Sequence, residues 1–188
     1  MNKKFFISGI LLCLAALTGC VGSSSETRCF TLGSNGAEKV LPCRVTILRF
    51  RNLSGADRRF LYRYQNNRMQ NDEFSRWLLD PELLLERLLR SKLNGTGRDE
   101  VRARCVITAF EIDIARNTAV LAGDFTLYCG ENILTFRVQE ERKISAESGD
   151  FAAAAATAMD QCASALAGTL REKVLLLYKQ SQTGKSRL

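Results

Sequence analysis

The 188-residue chain contains no histidine, which removes imidazole general bases, Ser-His-Asp and Cys-His nucleophile pairs and histidine-ligated metals. None of its seven cysteines stands in a C-x-x-C spacing, so neither a thioredoxin-like redox pair nor a zinc knuckle is offered. The sequence also lacks the basic stripe of a nucleic-acid-binding surface. The Asn94-Gly-Thr-Gly97 turn superficially suggests a phosphate loop, but it follows a helical segment and has no lysine, which makes it a helix stop. No cofactor or metal is expected. What is present, 46% apolar and 25% charged residues, is the composition of one globular domain.

The N-terminus is the most informative segment. Lys3 and Lys4 precede an apolar stretch over residues 5–17, and Leu17-Thr-Gly-Cys20 follows. About 13 apolar residues fall short of the about 20 that span a bilayer, so residues 1–19 read as a signal peptide. Leu-Thr-Gly-Cys resembles the bacterial lipobox, in which the cysteine thiol receives a diacylglyceryl group; this makes Cys20 the lipidation site. The alternative, an ordinary secretory peptide, still exports the protein. Each buried acyl methylene contributes about 0.8 kcal/mol, so the expected state is tethered and not spanning. Residues 20–27 form a short polar tether. Val21, where aspartate would retain such proteins at the inner membrane, points by general sorting behaviour to the outer membrane, facing the periplasm. Without Lys3 and Lys4, 25 basic residues face 20 acidic ones. That mild excess favours an anionic membrane or an acidic partner.

Of the cysteines, Cys13 leaves with the signal and Cys20 carries lipid. Cys29, Cys43, Cys105, Cys129 and Cys162 remain. In an oxidising compartment this predicts disulfides with one thiol left over. Cys162, inside an alanine-rich helical run, is the candidate for that buried, inert thiol.

Strand signals cover residues 29–32, 44–53 and 60–64. Asp80-Pro-Glu82 opens a helix to about Leu93, with Asp80 suited to cap it and Leu84, Leu85, Leu88 and Leu89 on its apolar face. Residues 101–115, 119–129 and 133–142 form a meander, turning near 116–118 and at Gly130-Glu131. A second helix runs from Asp150 to about Tyr178, and residues 179–188 are a polar tail. The expectation is one domain over residues 28–178, of α+β class: a mainly antiparallel sheet with two helices packed on one face.

A three-residue loop at 116–118 pairs residue 115 with 119 and sets Cys105 opposite Cys129. A bond there would close a loop of about 25 residues and contribute roughly 3 kcal/mol. Cys29 with Cys43 is the other candidate pair. The same register places Phe110, Ile112, Ile114, Val120 and Ala122 on the face away from the helices. Such a patch is either covered elsewhere in the chain or buried by a subunit or partner. Glu111 and Asp113 share a strand face and could do acid–base work, but solvated surface carboxylates are the commoner arrangement, and no catalytic residue is assigned.

The segments Arg59-Phe-Leu-Tyr-Arg63, Glu73-Phe-Ser-Arg-Trp-Leu-Leu-Asp-Pro81 and the leucine-rich helix behind them resemble the ABC-type transport auxiliary lipoprotein family, which includes the paraquat-inducible protein C type. Members share a lipobox, a first strand like Cys29-Phe-Thr-Leu32, the Phe74-Ser-Arg-Trp77 segment, a meander and an alanine-rich last helix. The resemblance spans residues 20–178, and the five cysteines beyond the anchor lie outside its pattern. It implies a non-enzymatic component that works by positioning and oligomerisation, docks an MCE-domain protein of an ABC lipid transporter to the membrane and binds no ATP itself; no nucleic-acid partner is expected. The competing reading is a chaperone or pilotin-like lipoprotein for an outer-membrane assembly.

Overall fold

The computed structural model describes residues 26–33, 39–145 and 149–185; the predicted signal peptide and Cys20 lie outside them. Eight strands and two long helices follow in the order β1 (Arg28–Phe30), β2 (Arg44–Ile47), β3 (Arg51–Asn52), β4 (Arg59–Arg63), β5 (Met69–Trp77), α1 (Pro81–Lys92), β6 (Glu100–Asp113), β7 (Thr118–Cys129), β8 (Asn132–Lys143) and α2 (Phe151–Lys185). No helix of the described residues is long and apolar enough to cross a membrane.

One sheet runs β1-β5-β4-β6-β7-β8, with β2 and β3 beside the first half of β6 and β4 beside its end. The long ladders, β6 with β7 and β7 with β8, are antiparallel, as is β4 with β5. Strands β2, β3 and β4 all run parallel to β6, because the chain crosses over through α1 before β6 begins. The architecture is therefore α+β with a mostly antiparallel sheet. Two features depart from the sequence reading. Residues 44–53 form two short strands instead of one, and residues 69–77 form a strand that polar Gln70-Asn-Asp-Glu73 concealed.

Helix α1 starts at Pro81, where proline's missing N–H costs nothing. Asp80 accepts the Leu83 and Leu84 amides through its backbone carbonyl. Its side chain makes no cap and lies 3.6 Å from Arg58 instead. The glycines after α1 do more than end it. A Cβ at Gly95 would stand 1.9 Å from the Cys43 carbonyl oxygen, and one at Gly97 equally close to that of Pro42. Only glycine lets residues 41–43 lie against this loop. Helix α2 is capped by Asp150, which accepts the Ala153 N–H at 3.1 Å and is paired with Arg28 from β1. The cap bond from Ala153, more than Arg28, holds the Asp150 carboxyl below its usual range. This helix continues to Lys185, through much of the predicted tail. The reason is visible at Ser181 and Gln182: Cys129 donates to the Ser181 hydroxyl at 3.3 Å, and Gln182 donates to Asp99 at 2.6 Å. The polar residues dock the helix end on the sheet.

The register of the β6–β7 hairpin differs from the expected one. Asp113 pairs with Thr118 across a four-residue turn, in which Asn117 takes φ 52° and Asp113 accepts the Arg116 N–H at 2.9 Å. The ladder then shifts between Ile107 and Ala109, a β-bulge. Before it, Val101, Ala103, Cys105 and Ile107 face the helices; after it, Phe110 and Ile112 do. The Gly130-Glu131 turn is as expected, with Gly130 at φ 59° between paired Cys129 and Asn132.

The core lies between the sheet and both helices. Trp77 stacks on Phe60 at 4.4 Å between centroids and meets Phe110 edge-on at 5.2 Å. Leu84, Leu85 and Leu89 from α1 join Leu166, Leu170 and Val174 from α2 in the same cluster. Phe110 is 1% exposed. Phe110→Ala is expected to cost about 3–5 kcal/mol in denaturant unfolding, whereas Thr126→Ala on the other face should stay within about 0.5 kcal/mol.

Candidate functional site

The five described cysteines are free thiols. Cys105 stands opposite Phe125, and Cys129 opposite Asn132 at the far turn, so the proposed Cys105–Cys129 bond is not formed. The expected three-residue loop gave way to a four-residue turn plus a bulge, which moved the pairing. Cys29 and Cys43 are not bonded either: Cys29 is exposed on edge strand β1, and Cys43 is buried just before β2, on the other side of β5 and β4. Cys162 is buried, as expected, with its thiol directed at the Ala119 carbonyl at 3.5 Å. Burial raises the thiols of Cys162, to about 12, and of Cys43, to about 11, with nearby Cys129 and Asp99 adding to the latter; burial likewise raises that of Cys105. None is poised as a thiolate nucleophile.

The five-residue patch is also rearranged. The bulge turns Phe110 and Ile112 into the core, with Ile114 packed at its margin. Val120 and Ala122 remain on the face away from the helices, but they are 7% and 2% exposed. The predicted interface of Phe110, Ile112, Ile114, Val120 and Ala122 therefore does not exist as one surface.

Glu111 and Asp113 share that outer face, yet they are buried and not solvated. Arg63 of β4 donates to both Glu111 carboxylate oxygens, at 2.7 and 2.8 Å. Asp113 is occupied by the turn amide of Arg116. Both carboxylates are tied to structural partners, a poor setting for acid–base chemistry. Tyr62 on the helix side donates to Asp72 at 2.6 Å, beside the exposed rings of Phe74 and Phe151.

The open face of β6–β8 is the largest feature that sequence reading missed. Its cross-strand rows are Arg51-Val106-Asp124-Arg137, Arg104-Thr126-Thr135 and Thr46-Arg102-Tyr128-Ile133, and Arg44 lies beside Glu100 at the end. The alternation of arginine with core residues in Arg102-Ala-Arg-Cys105 was the available signal. At the margin, a cavity of about 740 Å³ is lined by Arg98, Arg102, Tyr128, Glu131 and Ser181 among others.

This two-helix, one-sheet α+β frame has solved counterparts. A crystal structure of an uncharacterized protein superposes with a TM-score of 0.66 at 9% identity, covering 79% of this chain and 99% of that one. Protein XCC0632 from Xanthomonas campestris, described as belonging to DUF330, superposes with a TM-score of 0.58 at 14% identity, covering 86% and 92%. No family model and no curated protein matches the sequence. The likeness is one of fold.

The cysteine arrangement has a direct consequence. In the folded protein at pH 8, an alkylating reagent should label Cys29 and leave Cys43, Cys105, Cys129 and Cys162 unmodified. In denaturant without reductant all five should label, which peptide mapping reads. Cys105 and Cys129 staying unlabelled in denaturant would show the bond that this register excludes.

Proposed function

We propose that the protein is a membrane-anchored periplasmic lipoprotein that acts as the auxiliary, docking component of an MCE-type ABC lipid transport system, at the outer membrane. The reading rests on one conjunction: a lipobox-like Leu-Thr-Gly-Cys20, followed by a domain of the fold shared with the Xanthomonas DUF330 protein. The order of strand, Phe74-Ser-Arg-Trp77, leucine-rich helix, meander and alanine-rich helix supports it. In the fold, Trp77 of that segment is a core residue stacked on Phe60, so the motif reports the architecture and not a site.

On this reading the work is positioning. The acyl chains hold the domain at one membrane, a short tether gives it reach, and a rigid sheet presents surfaces to an MCE-domain protein. The buried carboxylates and protonated thiols described above fit a scaffold that binds without chemistry.

Cys20→Ala should abolish lipid labelling and release the protein from the membrane fraction. Labelling that persists in the variant would sink the anchor. The wild-type protein, cross-linked in its native envelope and purified, should carry an MCE-domain protein identified by mass spectrometry. Recovery of an outer-membrane assembly component in its place would favour the pilotin-like role.

A further inference from the structure

The face of the sheet turned away from the helices has two electrostatic halves. Near the β6–β7 turn, basic side chains are matched to carboxylates: Arg63 with Glu111, and Arg116 with Glu141. Toward the other end stand Arg44, Arg51, Arg102, Arg104 and Arg137, all exposed. The carboxylates on their cross-strand rows are Glu100 and Asp124, with Glu131 near Arg102 at the margin, and Glu100 accepts a hydrogen bond from Thr46. Among the described residues none of these five arginines forms an ion pair.

We propose that this arginine half-face is a landing surface for an anionic phospholipid bilayer. Guanidinium groups bind phosphate bidentately and are more weakly hydrated than ammonium groups, and all five cations here are arginines. Exposed Ile133 and half-buried Tyr128, whose ring lies 5.8 Å from the Arg102 guanidinium, supply the apolar and amphipathic contact that suits the headgroup level. Three successive cross-strand rows spread the arginines over β6–β8 and the strands beside them, which matches an extended anionic surface better than it matches a single inserted peptide. The reach is adequate: eight tether residues extend about 26–29 Å, and the five strand steps from β1 to β8 cover about 24 Å. A domain anchored at Cys20 can thus lie on the leaflet that holds it. That last argument rests on the anchor reading; the charge argument does not.

The test uses the full chain carrying Cys20→Ala, so that no acyl group contributes, and vesicle flotation. Partitioning is compared between vesicles of phosphatidylcholine alone and vesicles also containing phosphatidylglycerol. The parent is expected to show an excess on the anionic vesicles that high salt removes. R102Q/R104Q/R137Q should lower that excess at least tenfold, R102K/R104K/R137K should keep much of it, and R116Q/E141Q in the ion-paired half should leave it unchanged. Binding to neutral vesicles through residues 1–19 should be the same in all. No excess in the parent, an undiminished excess in the glutamine variant, or an equal loss in R116Q/E141Q overturns the proposal. So does a glutamine variant that keeps its vesicle binding but loses an acidic protein partner. Unchanged circular dichroism confirms folding, and the lysine variant serves if the glutamine one unfolds. Because the chain is unacylated throughout, failure here leaves the Cys20 labelling test untouched.

Discussion

The bulge in β6 between Ile107 and Ala109 is the constraint from which most of the structure follows. A strand's side chains alternate strictly, so one extra residue exchanges its faces. Without the bulge, a 14-residue strand that buries Cys105 and Ile107 would have to expose Phe110 and Ile112. With it, both halves feed one core, and the acidic pair Glu111 and Asp113 is carried to the outer face. The cost is local: the Thr108 hydroxyl is buried without a hydrogen-bond partner. The opposing strand makes room with Gly123, where a Cβ would come within 3.1 Å of the Cys105 sulfur and 3.3 Å of the Phe125 ring. A bulge that ordinarily bends a strand here also determines which strand can continue beyond it. Past the bulge β6 accepts β4 in parallel, and Arg63 arrives within reach of Glu111.

That single insertion separates what the sequence made legible from what it did not. Helix α1 was readable because Pro81 and four leucines at helical spacing agree, and the β7–β8 turn because Gly130 carries the positive φ itself. The β6–β7 register was not readable. Cys105-Val-Ile-Thr-Ala-Phe-Glu-Ile is apolar nearly throughout, so no alternation marks where the phase changes. The turn forms at residues 114–117 instead of 116–118, and this displacement together with the bulge moved the partner of Cys105 from Cys129 to Phe125. Strand β5 was hidden for the opposite reason: Gln70-Asn-Asp-Glu73 is polar on both faces because β5 lies near the sheet edge, and it pairs through backbone bonds that side-chain pattern does not report. The extension of α2 through Lys185 depended on tertiary partners, Cys129 and Asp99, which lie 52 and 83 positions from the residues they hold, beyond the reach of any local signal of helix or tail.

The fate of the predicted site residues follows the same logic. Phe110 and Ile112 looked like a docking patch when placed on the outer face, and they are the inner wall of the core. Glu111 looked like a solvated carboxylate, and it is a buried anion satisfied by Arg63. Burying such a charge is tolerable only with a well-aligned partner, because desolvation otherwise exceeds the Coulombic gain. The Arg63–Glu111 pair therefore pins β4 to β6 in one register, and β4 carries Phe60 into the stack with Trp77. The Trp77 segment, which the family resemblance singles out, owes its composition to this packing.

What remains on the surface is then more informative than what the sequence suggested. In the half of the outer face closed by Arg63–Glu111 and Arg116–Glu141, charges cancel within the fold, and the small side chains of Val120 and Ala122 are shielded between them. In the other half, arginines alternate with core residues along β6, so the same period-two pattern that buries Ala103 and Cys105 must project Arg102 and Arg104 outward. Folding gains little from that choice beyond the contact of Arg102 with the Tyr128 ring, about 0.5–1 kcal/mol at an exposed site: threonine, as at 126 and 135 in the next two strands, would serve the sheet and avoid mutual repulsion. A pattern that costs the isolated domain electrostatic energy is most simply understood as complementary to an anion outside it, and the spread of these arginines over several cross-strand rows suits an anion that is itself extended.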